Sequence, residues 1–334
     1  MRAIKLAVLG ATGAVGREML RLLEEYRIPV EKLRLLSGPG SAGKTIPLHG
    51  VEHSVCEAAE DSFLGMDYVL GASDPTVSRR FAPIIRRSGA VFIDNSSAFR
   101  MDPEVPLVVP EINGDDAFYH RGIIANPNCS TIIAMLAVAG IDRLSPIRSM
   151  VVSTYQAVSG AGIRGLQELE EELAAYFKGQ QPRPEVFPAP IAMNVIPWIG
   201  AGEANGYTDE EMKMQNEGRR ILHRPELCVN CTCVRVPVMR SHSVSVTLWT
   251  EEAVSLTDAS TAVGCFPGCR LTTDESRSYP TPLDTGGQDL VWIGRLREDH
   301  THPNGLSLWC CGDQVRKGAA ANALQILMYL EMNQ

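Results

Sequence analysis

Ile4-Lys5-Leu6-Ala7-Val8-Leu9-Gly10-Ala11-Thr12-Gly13-Ala14-Val15-Gly16 opens the chain and decides its fold. The first six residues form an apolar run of strand length. Three glycines follow at three-residue spacing. After them Val15, Met19, Leu22 and Leu23 recur at helical spacing, with Glu18, Glu24 and Glu25 elsewhere, so a helix is predicted. A glycine pattern set between a strand and a helix is the signature of a dinucleotide site. The first glycine permits the tight turn, the second lets the backbone approach a pyrophosphate, and the third lets helix and strand pack closely. The helix start offers free N–H groups and the positive end of its dipole to phosphates. Gly10, Thr12, Gly13, Ala14, Val15 and Gly16 are therefore candidate cofactor-binding residues.

Working outward, strands are predicted over 32–36, 67–72, 90–94 and 122–125, with a helix around 77–87. Strands alternating with helices at this spacing imply βαβ units and a parallel sheet. The second strand runs out through Leu36-Ser37-Gly38-Pro39-Gly40-Ser41-Ala42-Gly43-Lys44 with no carboxylate. A carboxylate there would hold the ribose 2′-hydroxyl of NAD. Its lack points toward a 2′-phosphate, with Ser41 and Lys44 as its partners, and Ser37 joins the candidate cofactor-binding residues.

Beyond about residue 130 the regular alternation stops. A Glu-rich amphipathic helix is predicted over 162–178, followed by a Pro- and Gln-rich arm over 178–190. Strands are predicted over 231–238, 243–250 and 289–294, and a C-terminal helix over 314–331 that returns to the first domain. The expected fold is α/β: an N-terminal Rossmann-like dinucleotide-binding domain (1–130 plus the C-terminal helix 314–334) and an α+β second domain (131–313).

The chain has 334 residues, of which 45% are hydrophobic and 21% charged, an ordinary globular composition that suggests about two domains. Its formal charge of -8 makes it a poor polyanion binder, so no nucleic-acid partner is expected. The longest uncharged apolar stretch, 131–141, is far short of the roughly 20 residues of a spanning helix, so no membrane partner is expected either. With no signal-peptide pattern at the start, the expected location is cytoplasmic. Nine cysteines at irregular spacing do not read as a disulfide framework.

Among those cysteines Cys129 stands apart. It lies in Asn126-Pro127-Asn128-Cys129-Ser130-Thr131, after a strand and before an apolar helical run. A sulfur at a helix N-terminus is favoured as thiolate. On position alone, a buried structural cysteine is an equal reading. His242, in Arg240-Ser241-His242-Ser243, sits at the start of a strand, and Arg235 ends one face of the preceding one. An Arg and a His converging there suit an anionic substrate beside a proton-transfer group, although on this signal alone a surface or core-edge histidine is the better reading. Cys228, Cys231 and Cys233 are close enough to suggest zinc, but only His223 lies near them, and Cys231 and Cys233 share one face of a strand. Packing is the better reading, and no metal site is expected.

With the glycine loop, the Asn-Cys-Ser-Thr string and the Arg–His pair in this order, the chain resembles the aspartate-β-semialdehyde dehydrogenases nearly end to end. The strings that carry the resemblance include Ile93-Asp94-Asn95-Ser96-Ser97-Ala98-Phe99-Arg100, Val108-Val109-Pro110-Glu111-Ile112-Asn113, Ser153-Thr154-Tyr155-Gln156-Ala157-Val158-Ser159-Gly160-Ala161-Gly162, Glu210-Glu211-Met212-Lys213-Met214 and Arg316-Lys317-Gly318-Ala319-Ala320. The resemblance implies NADP-linked interconversion of L-aspartyl-4-phosphate with L-aspartate-4-semialdehyde and phosphate, on the way to lysine, methionine, threonine and diaminopimelate. It implies a thioester on Cys129, with His242 as acid/base and Gln156 orienting the reacting group. It assigns Arg235 to the substrate α-carboxylate, Glu210 to its ammonium, and Arg100, Lys213 and Asn128 to phosphate. Ser159, Gly160 and Gln314 join the cofactor set at the nicotinamide end. The second domain would be catalytic and dimerising, in a homodimer or homotetramer.

The family often carries Arg where Gly40 stands and Asn where Gln314 stands, and a Gly- and Ser-richer loop where Ser73-Asp74-Pro75-Thr76 stands. These departures leave NAD an accepted alternative to NADP. Two rival readings are an N-acetyl-glutamyl-phosphate reductase-like acyl-phosphate reductase and a non-catalytic dinucleotide-sensing protein. Glu210 argues against the first, because an acetylated amine needs no carboxylate. Cys129, Gln156 and His242 together argue against the second. A short-chain dehydrogenase is excluded because no tyrosine has Lys four residues on.

Overall fold

A computed structural model describes residues 1–48, 50–273 and 277–333. The chain divides into two compact units, Met1–Asn128 with Ala319–Gln334, and Cys129–Gly318.

In the first unit the sequence alternates β1 (Ile4–Leu9), α1 (Ala14–Glu25), β2 (Val30–Ser37), β3 (Thr45–Leu48), β4 (Val51–Glu57), β5 (Tyr68–Gly71), α2 (Pro75–Arg87), β6 (Val91–Asp94) and β7 (Ile123–Ala125). Among the described residues these strands make one sheet in the order β3-β4-β2-β1-β5-β6-β7. The pairs β1–β2, β1–β5, β5–β6 and β6–β7 are parallel, as the alternation predicts. The strand order reverses at β1, which puts a switch-point crevice at its carboxyl end, where the glycine loop begins. β3 and β4 form an antiparallel hairpin that the apolar pattern did not signal. Asp74 caps α2, its carboxylate accepting the N–H groups of Thr76 and Val77.

The C-terminal helix (Ala321–Met332) packs into this unit's core, with Leu324, Ile326 and Leu327 buried among Leu6, Val8 and Met19. Tyr68 donates its hydroxyl to Glu331 at 2.8 Å, and Asn322 donates to Val108 O and Asn126 Oδ1. The helix begins later than its periodicity predicts. Residues Arg316–Ala320 form a π-helical turn, and Gln314 precedes it in the loop after the last strand.

The second unit starts with α3 (Cys129–Asp142), an apolar helix buried along nearly its whole length. Then come β8 (Ile147–Gln156), α4 (Gly162–Phe177), α5 (Asp209–Ile221), β9 (Cys228–Arg235), β10 (His242–Thr250), α6 (Leu256–Cys265), β11 (Cys269–Leu271), β12 (Val291–Glu298) and β13 (Gly305–Gly312). The sheet order is β11-β12-β13-β10-β8-β9 and its pairing is mixed, as an α+β unit should be. Helices α3, α5 and α6 pack against it. Along β8, Met150, Val152, Thr154 and Gln156 are buried, while the intervening Val151 and Tyr155 are exposed, so the other face of the sheet is open.

Candidate active site

Sheet register builds the site in the second unit. Gln156, the last residue of β8, pairs with Arg235, the last of β9, and His242, the first of β10, pairs with Gly312, the last of β13. The β8–β10 ladder sets Ser243 opposite Tyr155, so these termini line up across one edge of the sheet. The first residue of α3 meets this row: Cys129 Sγ lies 3.5 Å from His242 Nε2. Gly318 is needed for that approach, because a Cβ there would stand 2.7 Å from Cys129 Cβ.

His242 is fully buried, and its ring is fixed from both sides. The Ala157 N–H donates to Nδ1 at 3.0 Å. A neutral ring that accepts at Nδ1 carries its proton on Nε2, and Nε2 is the atom facing the Cys129 sulfur. Burial first, then the nearby Arg235 cation, hold His242 well below the ordinary histidine range. Arg235, itself buried, donates from Nη1 to Ala157 O at 2.8 Å. Burial lowers its pKa, while Cys129, Glu210 and Cys233 oppose that shift as negative partners.

Gln156, Glu210 and Lys213 are linked. Gln156 Nε2 donates to Glu210 Oε1 at 3.3 Å, and Lys213 Nζ donates to Glu210 Oε2 at 3.1 Å and Asp209 Oδ2 at 2.8 Å. Burial would lower Lys213, but Glu210 and Asp209 outweigh it and raise its pKa. Asp209 follows the same pairing: burial favours its acid form, yet Lys213 and the Ala201 amide pull it below the usual carboxylate range. The two residues that the resemblance gives to opposite ends of a zwitterionic acyl phosphate are thus partners of each other. Ser159 Oγ accepts from Gln314 Nε2, and Gly160 faces Arg235 and His242 closely enough that a Cβ would sit 2.7 Å from Arg235 Nη1.

Of the paired cysteines, Cys231 and Cys233 are buried with their sulfurs 3.8 Å apart, and the Cys233 N–H donates to Glu211 Oε1. Among the described residues no group of three or more His, Cys, Asp or Glu side chains could hold a metal ion.

In the first unit Gly10 adopts φ +90°, and a Cβ there would stand 2.4 Å from Ala72 O. A Cβ on Gly16 would meet Gly10 O at 2.3 Å. Both positions therefore exclude any side chain, and the turn delivers the start of α1 (Ala14, Val15, Gly16) with Gly13 as its cap. Thr12 Oγ1 and Ser37 Oγ share a hydrogen bond at 3.1 Å, Thr12 also reaches Ser41 Oγ at 3.4 Å, and Lys44 Nζ donates to Ser41 Oγ at 3.4 Å. Three hydroxyls and an ammonium thus stand together, with no carboxylate among them. Arg100 donates to Asn126 O at 3.0 Å and to Asn95 O at 2.6 Å, bracing the segment that leads to the buried Asn128.

Sequence reasoning missed Ala157, Asp209 and Gly318, which meet the site through a main-chain amide, a helix-start carboxylate and a missing side chain, none of which leaves a compositional signal.

A chain with a dinucleotide loop in one unit and a Cys–His pair in the other belongs with the semialdehyde dehydrogenases. Residues 5–119 match the family model described as the semialdehyde dehydrogenase NAD binding domain, and residues 140–317 match its dimerisation domain. The aspartate-semialdehyde dehydrogenase of Synechocystis sp. is 47% identical over 97% of this chain and 96% of that protein. That of Prochlorococcus marinus is 43% identical over 97% and 95%. A crystal structure of aspartate semialdehyde dehydrogenase II from Vibrio cholerae, complexed with ASA, superposes with a TM-score of 0.95 at 38% identity, covering 99% of both chains. The chain belongs to the aspartate-semialdehyde dehydrogenase family.

Proposed function

We propose that this chain is a phosphorylating dehydrogenase that interconverts L-aspartyl-4-phosphate and L-aspartate-4-semialdehyde with NADP, in the cytoplasm, in the biosynthesis of lysine, methionine, threonine and diaminopimelate. The observation that carries the reading is the contact between Cys129 Sγ and His242 Nε2, at the start of a buried helix. The helix dipole and the Nε2–H both favour sulfur as thiolate. The thiolate attacks the acyl carbonyl, the S–C bond forms, the C–O bond to phosphate breaks, and inorganic phosphate leaves with the electron pair. Bound dinucleotide supplies the hydride that reduces the resulting thioester. The oxyanion formed at the former carbonyl lies within reach of the Nε2–H of His242 before the C–S bond breaks and aldehyde leaves. Arg235 would hold the α-carboxylate by its fork and Glu210 the ammonium, with Gln156 orienting the reacting group. Substrate would then replace the Lys213–Glu210 pairing, freeing the ammonium of Lys213 for phosphate. Arg100 and Asn128 take their phosphate roles from the family strings in which they stand.

The pocket of Thr12, Ser37, Ser41 and Lys44 supports NADP over NAD. The open face of the second unit's sheet supports a homodimer or a homotetramer built from such dimers. Tyr155 and Trp309 form a tilted ring pair there, 5.5 Å between centroids, beside exposed Val151. Among the described residues no helix is long and apolar enough to cross a membrane.

The test is NADPH formation from aspartate semialdehyde and phosphate by wild type and Cys129→Ala, with mass spectrometry of the enzyme quenched in turnover. An aspartyl adduct on Cys129 and no turnover by the variant are expected. Equal rates for the two proteins would refute the covalent route.

A further inference from the structure

We propose that Gln314 and Thr285 are positioning residues for His242, acting through Ser241. Ser241 is fully buried and, although it carries a side chain, holds φ at +78°. A serine in the left-handed region persists only where its surroundings over-determine it. Two groups do so here. The Ser241 N–H donates to Gln314 Oε1 at 2.8 Å, and its hydroxyl shares a short hydrogen bond with Thr285 Oγ1. Gln314 is itself fixed. Its Nε2 donates to Ser159 Oγ, and the preceding Asp313, fully buried, accepts the N–H groups of Val315 and Arg316 at 3.0 Å each.

The residue held in this way is covalently next to His242. The imidazole must satisfy two partners at once, the Ala157 N–H at Nδ1 and the Cys129 sulfur at Nε2. A small rotation about the Ser241 backbone would spoil one of them. Gln314 also ties this corner to Ser159, beside Gly160, whose backbone lies against Arg235 and His242. The amide expected at the nicotinamide end thus sets the geometry of the reacting pair.

This inference rests on Cys129 and His242 being the reacting pair, and the experiment separates the two claims. Gln314→Met keeps the side-chain length and removes the acceptor for Ser241. In the NADPH-formation assay it should lower kcat by about 30-fold, within the range of a misplaced acid–base group. The pH at which iodoacetamide alkylates Cys129 half-maximally, followed on that peptide by mass spectrometry, should rise by about one unit, because His242 no longer favours the thiolate. Thr285→Val should shift that profile in the same direction, while Thr285→Ser, which keeps the hydroxyl, should restore it. In a His242→Asn background Gln314→Met should cost nothing further, as coupled residues require. If Gln314→Met fails to fold, the two Thr285 variants decide alone. An unmoved alkylation profile with NADP binding weakened tenfold would overturn the inference, and so would a full additional loss in the His242→Asn background. Iodoacetamide inactivation of wild type without label on Cys129 would instead overturn the covalent reading itself.

Discussion

Gly160 has no side chain because there is no room for one. Its missing Cβ would press on Arg235 Nη1 at 2.7 Å and on His242 Cε1 at 3.3 Å. Arg235 is buried and tied to Ala157 O, so it cannot swing into water to relieve the clash. Gly160→Ala should therefore displace the guanidinium proposed to hold the substrate carboxylate rather than unfold the chain. We expect kcat/KM for aspartate semialdehyde to fall at least about tenfold, roughly 1.4 kcal/mol of transition-state binding, with the thermal midpoint nearly unchanged. Lys44 gives a second prediction at this scale. It donates to Ser41 in the hydroxyl cluster, in a loop (37–44) that carries no Arg. Lys44→Ala should lower the NADP-to-NAD ratio of kcat/KM by about fivefold, the modest share expected of an exposed charge; an unchanged ratio would place the discrimination in the hydroxyls alone. Cys129 was legible as a helix start, and the Arg235–His242 pair only in outline, because the strands predicted over 231–238 and 243–250 end and begin elsewhere than the observed ones. The links among Gln156, Glu210 and Lys213 were not legible, since they depend on which strands become neighbours.

The start of α5 shows how an element carries a site. Thr208 accepts the Glu211 N–H, and Glu211 returns the bond to the Thr208 N–H at 2.8 Å, a reciprocal capping box. The other oxygen of Glu211 accepts the Cys233 N–H, so the helix start is pinned to β9 two residues before Arg235. Asp209, Glu210 and Lys213 stand in the turn that this box holds. Thr208→Ala should cost about 1 kcal/mol of stability by chemical denaturation and raise KM for phosphate more than KM for NADP; a change in NADP alone would separate the cap from the site. The β1–α1 step was legible because an apolar strand, a glycine turn and a 3.6-residue period all agree. The hairpin of β3 and β4 was not. It is an edge element whose Val51, Glu52 and Ser54 are exposed, so burial imposes no clean alternation on it. β8 hides its period for another reason: polar and apolar residues mix on both faces, Ser149 and Ser153 with Val151 and Tyr155 on the open one, Thr154 and Gln156 with Met150 and Val152 on the buried one. The C-terminal helix was read seven residues too early, from 314 instead of 321, because Asp313 gathers the amides that follow it and the chain makes a π turn before α-helical pairing begins.

For the molecule as a whole, a buried neutral imidazole ties stability to pH. Folded, His242 resists protonation because it is out of water, close to Arg235, and offered an N–H donor at Nδ1. Unfolded, it takes a proton near its ordinary value of 6.5. As pH falls through that value the unfolded chain binds a proton that the folded chain refuses, so the contribution is fully present above it and is lost progressively below. The limiting slope is that of one proton, about 1.4 kcal/mol per pH unit. Asp209 and Asp284, both held below the carboxylate value of 3.8, have the same sign but act in a more acid window. Asp94, whose burial outweighs the hydrogen bonds from Ser96 and Ser78 and raises it, acts in the opposite direction. The difference between wild type and His242→Asn isolates the histidine, since asparagine keeps an acceptor for the Ala157 N–H and cannot titrate. Denaturant unfolding between pH 5 and 7 should show wild type losing stability toward acid more steeply than the variant, with the two curves parallel above about pH 7. Parallel curves across the whole range would mean that the imidazole takes up its proton in the folded chain as readily as in the unfolded one. In that case Nδ1 carries a proton against the Ala157 amide, and the hydrogen-bond pattern on which the reacting pair depends is wrong.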